Sequence, residues 1–249
     1  MNSNVLLLGI ELFTLCLFVV YNSIIFLFLD KIFQKERKMI TRMGTSLINL
    51  FIMMFVVHVE KSGSLFTYTI LYIVLLVEFF FFYKNKLSRK LLIVTIFISH
   101  IIAIRTIILS GTAWLFNCSV STILANNEGF LLTLMISLFI LMVATLIVMR
   151  VIPIEKIRLV INRDDQSFFL LIWLTVCTIY LLINSQVYAY DMFIVFAYQD
   201  QVLKFITILI GIYIIIFYSI SNSTLLSVKL KNQQLQAEIK KQENYHHYV

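Results

Sequence analysis

The chain is poor in everything that interrupts a helix. Its 249 residues include one proline, Pro153, and six glycines. It has three cysteines, Cys16, Cys118 and Cys177, with no Cys-x-x-Cys spacing, so they read as small apolar fillers and not as a metal or redox set. Charged residues make up 13% of the chain, against about 25% in an ordinary soluble domain. That shortage excludes a soluble fold of this length. No Gly-x-x-x-Gly occurs, so no close helix pairing of that type is expected. Only Gly9 and Gly211 fall inside apolar runs. Many transporters break their spanning helices with Gly or Pro at the bilayer midplane, and this chain offers almost none.

What is abundant is apolar sequence. Hydrophobic residues reach 61%, and seven apolar segments cover roughly 5–29, 44–60, 64–83, 91–110, 129–150, 167–190 and 201–222. A spanning helix needs about 20 such residues. The expected fold is all-α: an integral membrane bundle of seven helices over 1–222, followed by a cytoplasmic linker helix over 223–249. Met1-Asn2-Ser3-Asn4 has no basic n-region and the run after it is too long for a signal peptide, so it reads as a first span.

The basic residues give the orientation. Lys31, Lys35, Arg37, Lys38 and Arg42 follow the first segment, and Lys84, Lys86, Arg89 and Lys90 follow the third. Arg150, Lys156, Arg158 and Arg163 follow the fifth, and Lys229, Lys231, Lys240 and Lys241 follow the seventh. All seventeen fall on one side; the other side holds Lys61 and Lys204. Short loops rich in Lys and Arg stay cytoplasmic. The expected topology is therefore N-out and C-in. The net charge of +7 is explained by this rule, and no nucleic-acid partner is expected. The outer loop 111–128 lacks basic residues and carries Trp114, Asn117, Asn126, Asn127 and Glu128. Lys61-Ser62-Gly63 reads as a tight turn that makes segments two and three a hairpin.

Ionisable groups inside a span are costly and need a partner or a purpose. Four stand out: Glu11, Glu78, His100 and Arg105. At about 1.5 Å of rise per residue, Glu11 and Arg105 both lie roughly 9 Å below the outer face. His58, Asn184 and Gln186 fall near the same level. Two readings follow: a structural Glu11–Arg105 pair, or a polar outer-leaflet pocket of Glu11, His58, Arg105, Asn184 and Gln186 for an extracellular ligand. Glu78 lies deeper and has no nameable partner. His100 sits near mid-membrane, with no second ligand placed for a metal, and no cofactor is expected.

From Ser221 the character changes. Residues 227–242 contain no Gly or Pro and are rich in helix formers. Leu225, Val228, Asn232, Leu235 and Ile239 fall on an a/d heptad seam, with Asn232 at an a position where it sets the register of a parallel dimer. A homodimer through this tail helix is expected.

With this tail in view, the chain resembles the polytopic sensor half of bacterial peptide-sensing histidine kinases that carry a GHKL-type ATPase domain. The likeness rests on seven spans with N-out topology and on the tail pattern Asn232-Gln233-x-Leu235-x-x-Glu238-Ile239-x-x-Gln242, with Lys240-Lys241-Gln242-Glu243-Asn244-Tyr245 like the linker that precedes a phosphoacceptor. The resemblance implies a receptor in a bacterial cell membrane that senses a secreted peptide within a two-component system. His246-His247-Tyr248-Val249 lacks the family's Arg-His-Asp context, so the phosphoacceptor role is not carried over. No kinase or cyclase domain lies within the chain, and it is not expected to be an enzyme itself. The abundance of Phe, Ile, Lys and Asn suggests an AT-rich bacterial genome.

The expected function is a membrane sensor that passes an extracellular peptide or small-ligand signal to its cytoplasmic tail. The alternative is a small transporter or permease that uses Glu11, Glu78, His100 and Arg105. A third reading, an intramembrane protease built on Cys16 and His100, rests on matching depth alone.

Overall fold

The computed structural model describes residues 3–59, 65–189 and 196–247, with side chains over 7–56, 65–186 and 198–241. Among the described residues there are nine α-helices and no strand. They are α1 (Ser3–Phe33), α2 (Met39–Val59), α3 (Leu65–Phe82), α4 (Leu87–Phe116), α5 (Val120–Ala125), α6 (Asn127–Val151), α7 (Ile154–Asn162), α8 (Asp164–Ala189) and α9 (Phe196–His247). Seven of these, all but α5 and α7, are long and apolar enough to cross a membrane.

Large apolar side chains fill the core and also coat the outside. Phe51, Phe55, Phe81, Phe169, Trp173 and Ile214 point outward, while Thr14, Ser46, Thr95, Ser99, Thr133 and Ser137 are buried. Small polar residues let helix backbones approach and bond within the bundle, and lipid accepts the large apolar side chains. The buried hydroxyls first satisfy themselves on their own helix. Ser99 Oγ bonds Thr95 O at 2.6 Å and Ser137 Oγ bonds Thr133 O at 2.6 Å. Some then reach across: Ser99 meets Thr178 of α8 at 2.6 Å, and Ser23 meets Ser46 of α2 at 3.1 Å.

The helix α4 is the hub. Of its most apolar stretch 67% is buried, against 22–44% for the other six spans. Around it pack α3, α6, α8 and α9, while α1 packs on α2, α6 and α7. The expected seven segments are present as helices; six are longer than the apolar run that marks them, and α3 is slightly shorter. Two short helices were not expected. One is α5, inside the 111–128 loop. The other is α7, which follows Pro153; there the proline ends α6 and opens the next helix. In α7, Val160 and Ile161 are buried and Ile154 and Ile157 pack on the core, with Glu155, Lys156 and Arg158 between them. That is the pattern of a helix lying along an interface. The expected turn at Lys61-Ser62-Gly63 lies outside the described residues.

Two helix ends use a left-handed residue without glycine. Gln34 (φ 53°) closes α1, and Lys35 N–H donates back to Asp30 O at 2.9 Å. Asn117 (φ 52°) closes α4, and Cys118 N–H donates to Ala113 O at 3.1 Å. These backward bonds satisfy carbonyls that the helix leaves open.

The helix α9 is continuous across residues 222 and 223. Its packed part ends at Ser223, which bonds Gln166 of α8. Its 52 residues span about 78 Å. From Ser227 to Lys241 every residue is exposed.

Candidate functional site

The loops rich in Lys and Arg gather at one end of the bundle, called here the basic end. Its centre is Asp30, the last acidic group of α1, which is 4% exposed. Arg37 Nε donates to Asp30 Oδ1 at 2.8 Å, Tyr83 donates to the same oxygen at 2.9 Å, and Arg42 pairs with Oδ2 at 3.2 Å. The Arg37 guanidinium also stacks on Phe82 at 4.6 Å and on Phe26 and Tyr83 at 5.0 Å. Burial raises the Tyr83 phenol above its ordinary range, so it stays a donor to Asp30. A second lock joins Lys86 and Arg89 to Asp164, and Arg89 also bonds Asn162. A third is Arg158 of α7, which donates to the terminal carbonyls of α1 at Lys31 (2.6 Å) and Ile32 (3.1 Å). Cations belong at a helix C-terminus.

The opposite end is built differently. Here α5 lies over the start of α6, capped by Ser119, and Asn126 caps α6. Gly129 of α6 suits this close approach: a Cβ there would sit 3.1 Å from Ile123 O, tighter than an ordinary contact. Between α1, α4, α5 and α6 opens a groove of about 600 Å³, whose lining includes Leu7, Ile10, Phe116, Thr122, Asn126 and Glu128. Pockets that take small molecules range over about 300–1,000 Å³. The helix α9 enters at this same end. Tyr198, buried, accepts from the Val120 N–H of α5 at 3.3 Å. Gln201, fully buried, accepts from Ser110 Oγ of α4 at 2.6 Å. One helix thus touches the groove's wall and ends in the exposed tail.

Of the five residues expected to form a ligand pocket, Arg105 alone lines one of the described cavities. Glu11 is exposed on α1, and none of the ion pairs among the described residues joins it to Arg105. Asn184 is exposed and bonds its own helix at Tyr180 O, 2.8 Å away. Gln186 is half-buried at the end of α8, and the side chain of His58 lies outside the described residues. Arg105 is 4% exposed, reaches Ser137 of α6 at 3.4 Å, and stacks on Phe130 at 5.6 Å. It lines a chamber of about 90 Å³ with Tyr68, Asn22 and Asn49. Asn49 also lies against Glu78, the deeper carboxyl for which the sequence names no partner. The tail residues Leu225, Val228, Asn232, Leu235 and Ile239 are all exposed.

A third cavity, about 110 Å³, lies in the half nearer the basic end, where α1, α4, α6, α7, α8 and α9 meet, and His100 lines it. Cys16 is exposed on α1 and is not part of that lining. Among the described residues no group of three or more His, Cys, Asp or Glu is placed to hold a metal.

The sequence reading missed Asn126, Glu128, Tyr198 and Gln201 as a set. The available signal was the polar, base-free loop 111–128. Comparison with protein-family models, with curated proteins and with solved structures found no match.

Proposed function

We propose that this chain is the receiving module of a membrane signalling system, in a bacterial cell membrane, with its basic end toward the cytoplasm. The observation that carries the reading is the continuity of α9, from its contact with α5 at the groove to its exposed tail. The groove faces the outer side and takes a small amphiphile or a short stretch of an extracellular peptide. Leu7, Ile10 and Phe116 offer apolar contact, and Asn126 and Glu128 offer polar recognition. A ligand that displaces α5 moves Tyr198, and α9 carries the movement through the bundle as a rigid body. The basic-end locks hold the other helices while it moves. The exposed seam Leu225, Val228, Asn232, Leu235 and Ile239 pairs with a second copy and presents the signal to an output domain or partner. We read this arrangement as the sensor half of a bacterial peptide-sensing histidine kinase.

The test is a cysteine scan over 225–241 in a variant lacking Cys16, Cys118 and Cys177, crosslinked in native membranes. Crosslinks recurring at Leu225, Val228, Asn232, Leu235 and Ile239 are expected. Absence of crosslinks, or equal yield at every position, overturns the paired tail. A transporter is the second reading, favoured by the buried Glu78 and Arg105. Purified protein in liposomes should show no proton or solute flux above empty liposomes, and a flux abolished by Glu78→Gln would replace the receptor reading.

A further inference from the structure

The cavity near the basic end has the build of a ligand site, separate from the outer groove. Its lining is almost wholly apolar, with residues such as Phe97, Leu141 and Leu170. Polar groups converge among them. Tyr21, 3% exposed, reaches the Thr145 hydroxyl, which itself donates to Leu141 O at 2.9 Å. His100 Nδ1 bonds Ile96 O at 2.7 Å. A carbonyl only accepts, so Nδ1 carries the proton, and in the neutral ring Nε2 is left as an acceptor. The Tyr213 ring stands edge-on to the imidazole at 5.1 Å. Among the described residues, no group hydrogen-bonds Nε2. His100 is half-buried, and a ligand hydroxyl that reaches Nε2 gives this acceptor a donor inside an otherwise apolar chamber.

We infer that this cavity binds a small apolar molecule carrying one hydroxyl or N–H donor, of the size of a phenol. The volume sets the class. A cavity of about 150 Å³ lined by aliphatic and aromatic residues accepts benzene, and this one, at about 110 Å³, fits a single ring with little to spare. The apolar wall holds the ring, and His100 Nε2 accepts from the donor. Ile157, Val160 and Ile161 of α7 line the cavity toward the basic end. An occupant presses on Tyr213, Ile216 and Ile220 of α9, which makes it a second input to the same helix.

The experiment is fluorine NMR of the full chain in lipid nanodiscs with 4-fluorophenol and fluorobenzene. A saturable bound resonance is expected for both, with the phenol about fivefold tighter, the factor that one net hydrogen bond supplies. Ala144→Phe plugs the cavity and should abolish both resonances. Ala144→Leu is a milder plug and should weaken both if the larger ring disturbs folding. His100→Phe should bring the two affinities together while leaving fluorobenzene bound. Binding that survives both plugs, equal affinities in the wild type, or no saturable binding overturns the site. None of these results depends on the outer groove or on tail pairing.

Discussion

The two ends of this bundle are closed by different chemistry. At the basic end, buried or half-buried charges meet in fixed geometry: Asp30 with Arg37 and Arg42, and Arg158 on the carbonyls that end α1. At the opposite end, neutral bonds from Ser110 to Gln201 and from Val120 to Tyr198 hold α9 beside an open groove. Removing one partner of a buried ion pair leaves an uncompensated charge, whereas a neutral hydrogen bond contributes only about 0.5–1.5 kcal/mol net. The basic end is therefore an anchor. The opposite end can change shape at modest cost, which the proposed receiving role requires.

The largest effect should come from breaking the anchor. Asp30→Ala strands the buried Arg37, and a loss of about 3–5 kcal/mol is expected in denaturant unfolding of the purified protein. Asp30→Asn, which keeps an acceptor, should lose less. The next effect lies at the receiving end. Gly129→Val drives a branched side chain into Ile123 O and should cost about 1–2 kcal/mol while lifting α5. Protease nicking within 117–126 should rise in parallel. Tyr198→Phe removes the acceptor for Val120 N–H and should cost about 1 kcal/mol, with faster hydrogen exchange confined to α5. The smallest effect is Lys86→Ala. Its pair with Asp164 is exposed, so the change should stay below about 1 kcal/mol and vanish in high salt. A neutral Asp30→Ala, or a large effect of Lys86→Ala, would collapse the contrast between the two ends.

The spans were legible because hydropathy is a one-dimensional property of the chain. Seven apolar runs and one-sided basic loops are visible without knowing any contact. Partners were not legible, because depth places a residue along the bilayer normal and says nothing of its direction around the helix. Glu11 and Arg105 share a level by count, yet Glu11 faces outward and Arg105 inward. Asp30 escaped notice because it stands between Leu29 and Lys31, where an apolar run grades into a basic loop. Only the return of Arg37 and Tyr83 to it makes it central. The short helices α5 and α7 were hidden for a related reason. Each buries only a few residues, so each reads as loop until its apolar face has something to cover.

The most direct test of the account is whether loosening the receiving end moves the tail. Spin labels at Lys84→Cys, in a basic-end loop, and at Val228→Cys, on the tail, report their separation by pulsed electron resonance. The chain should lack its native cysteines and be diluted with unlabelled protein in nanodiscs. Adding Tyr198→Phe and Gln201→Ala should shift or broaden that distance distribution, while adding Lys86→Ala should not. An unchanged distribution in the double variant would contradict the account, because α9 would then not couple the groove to the tail.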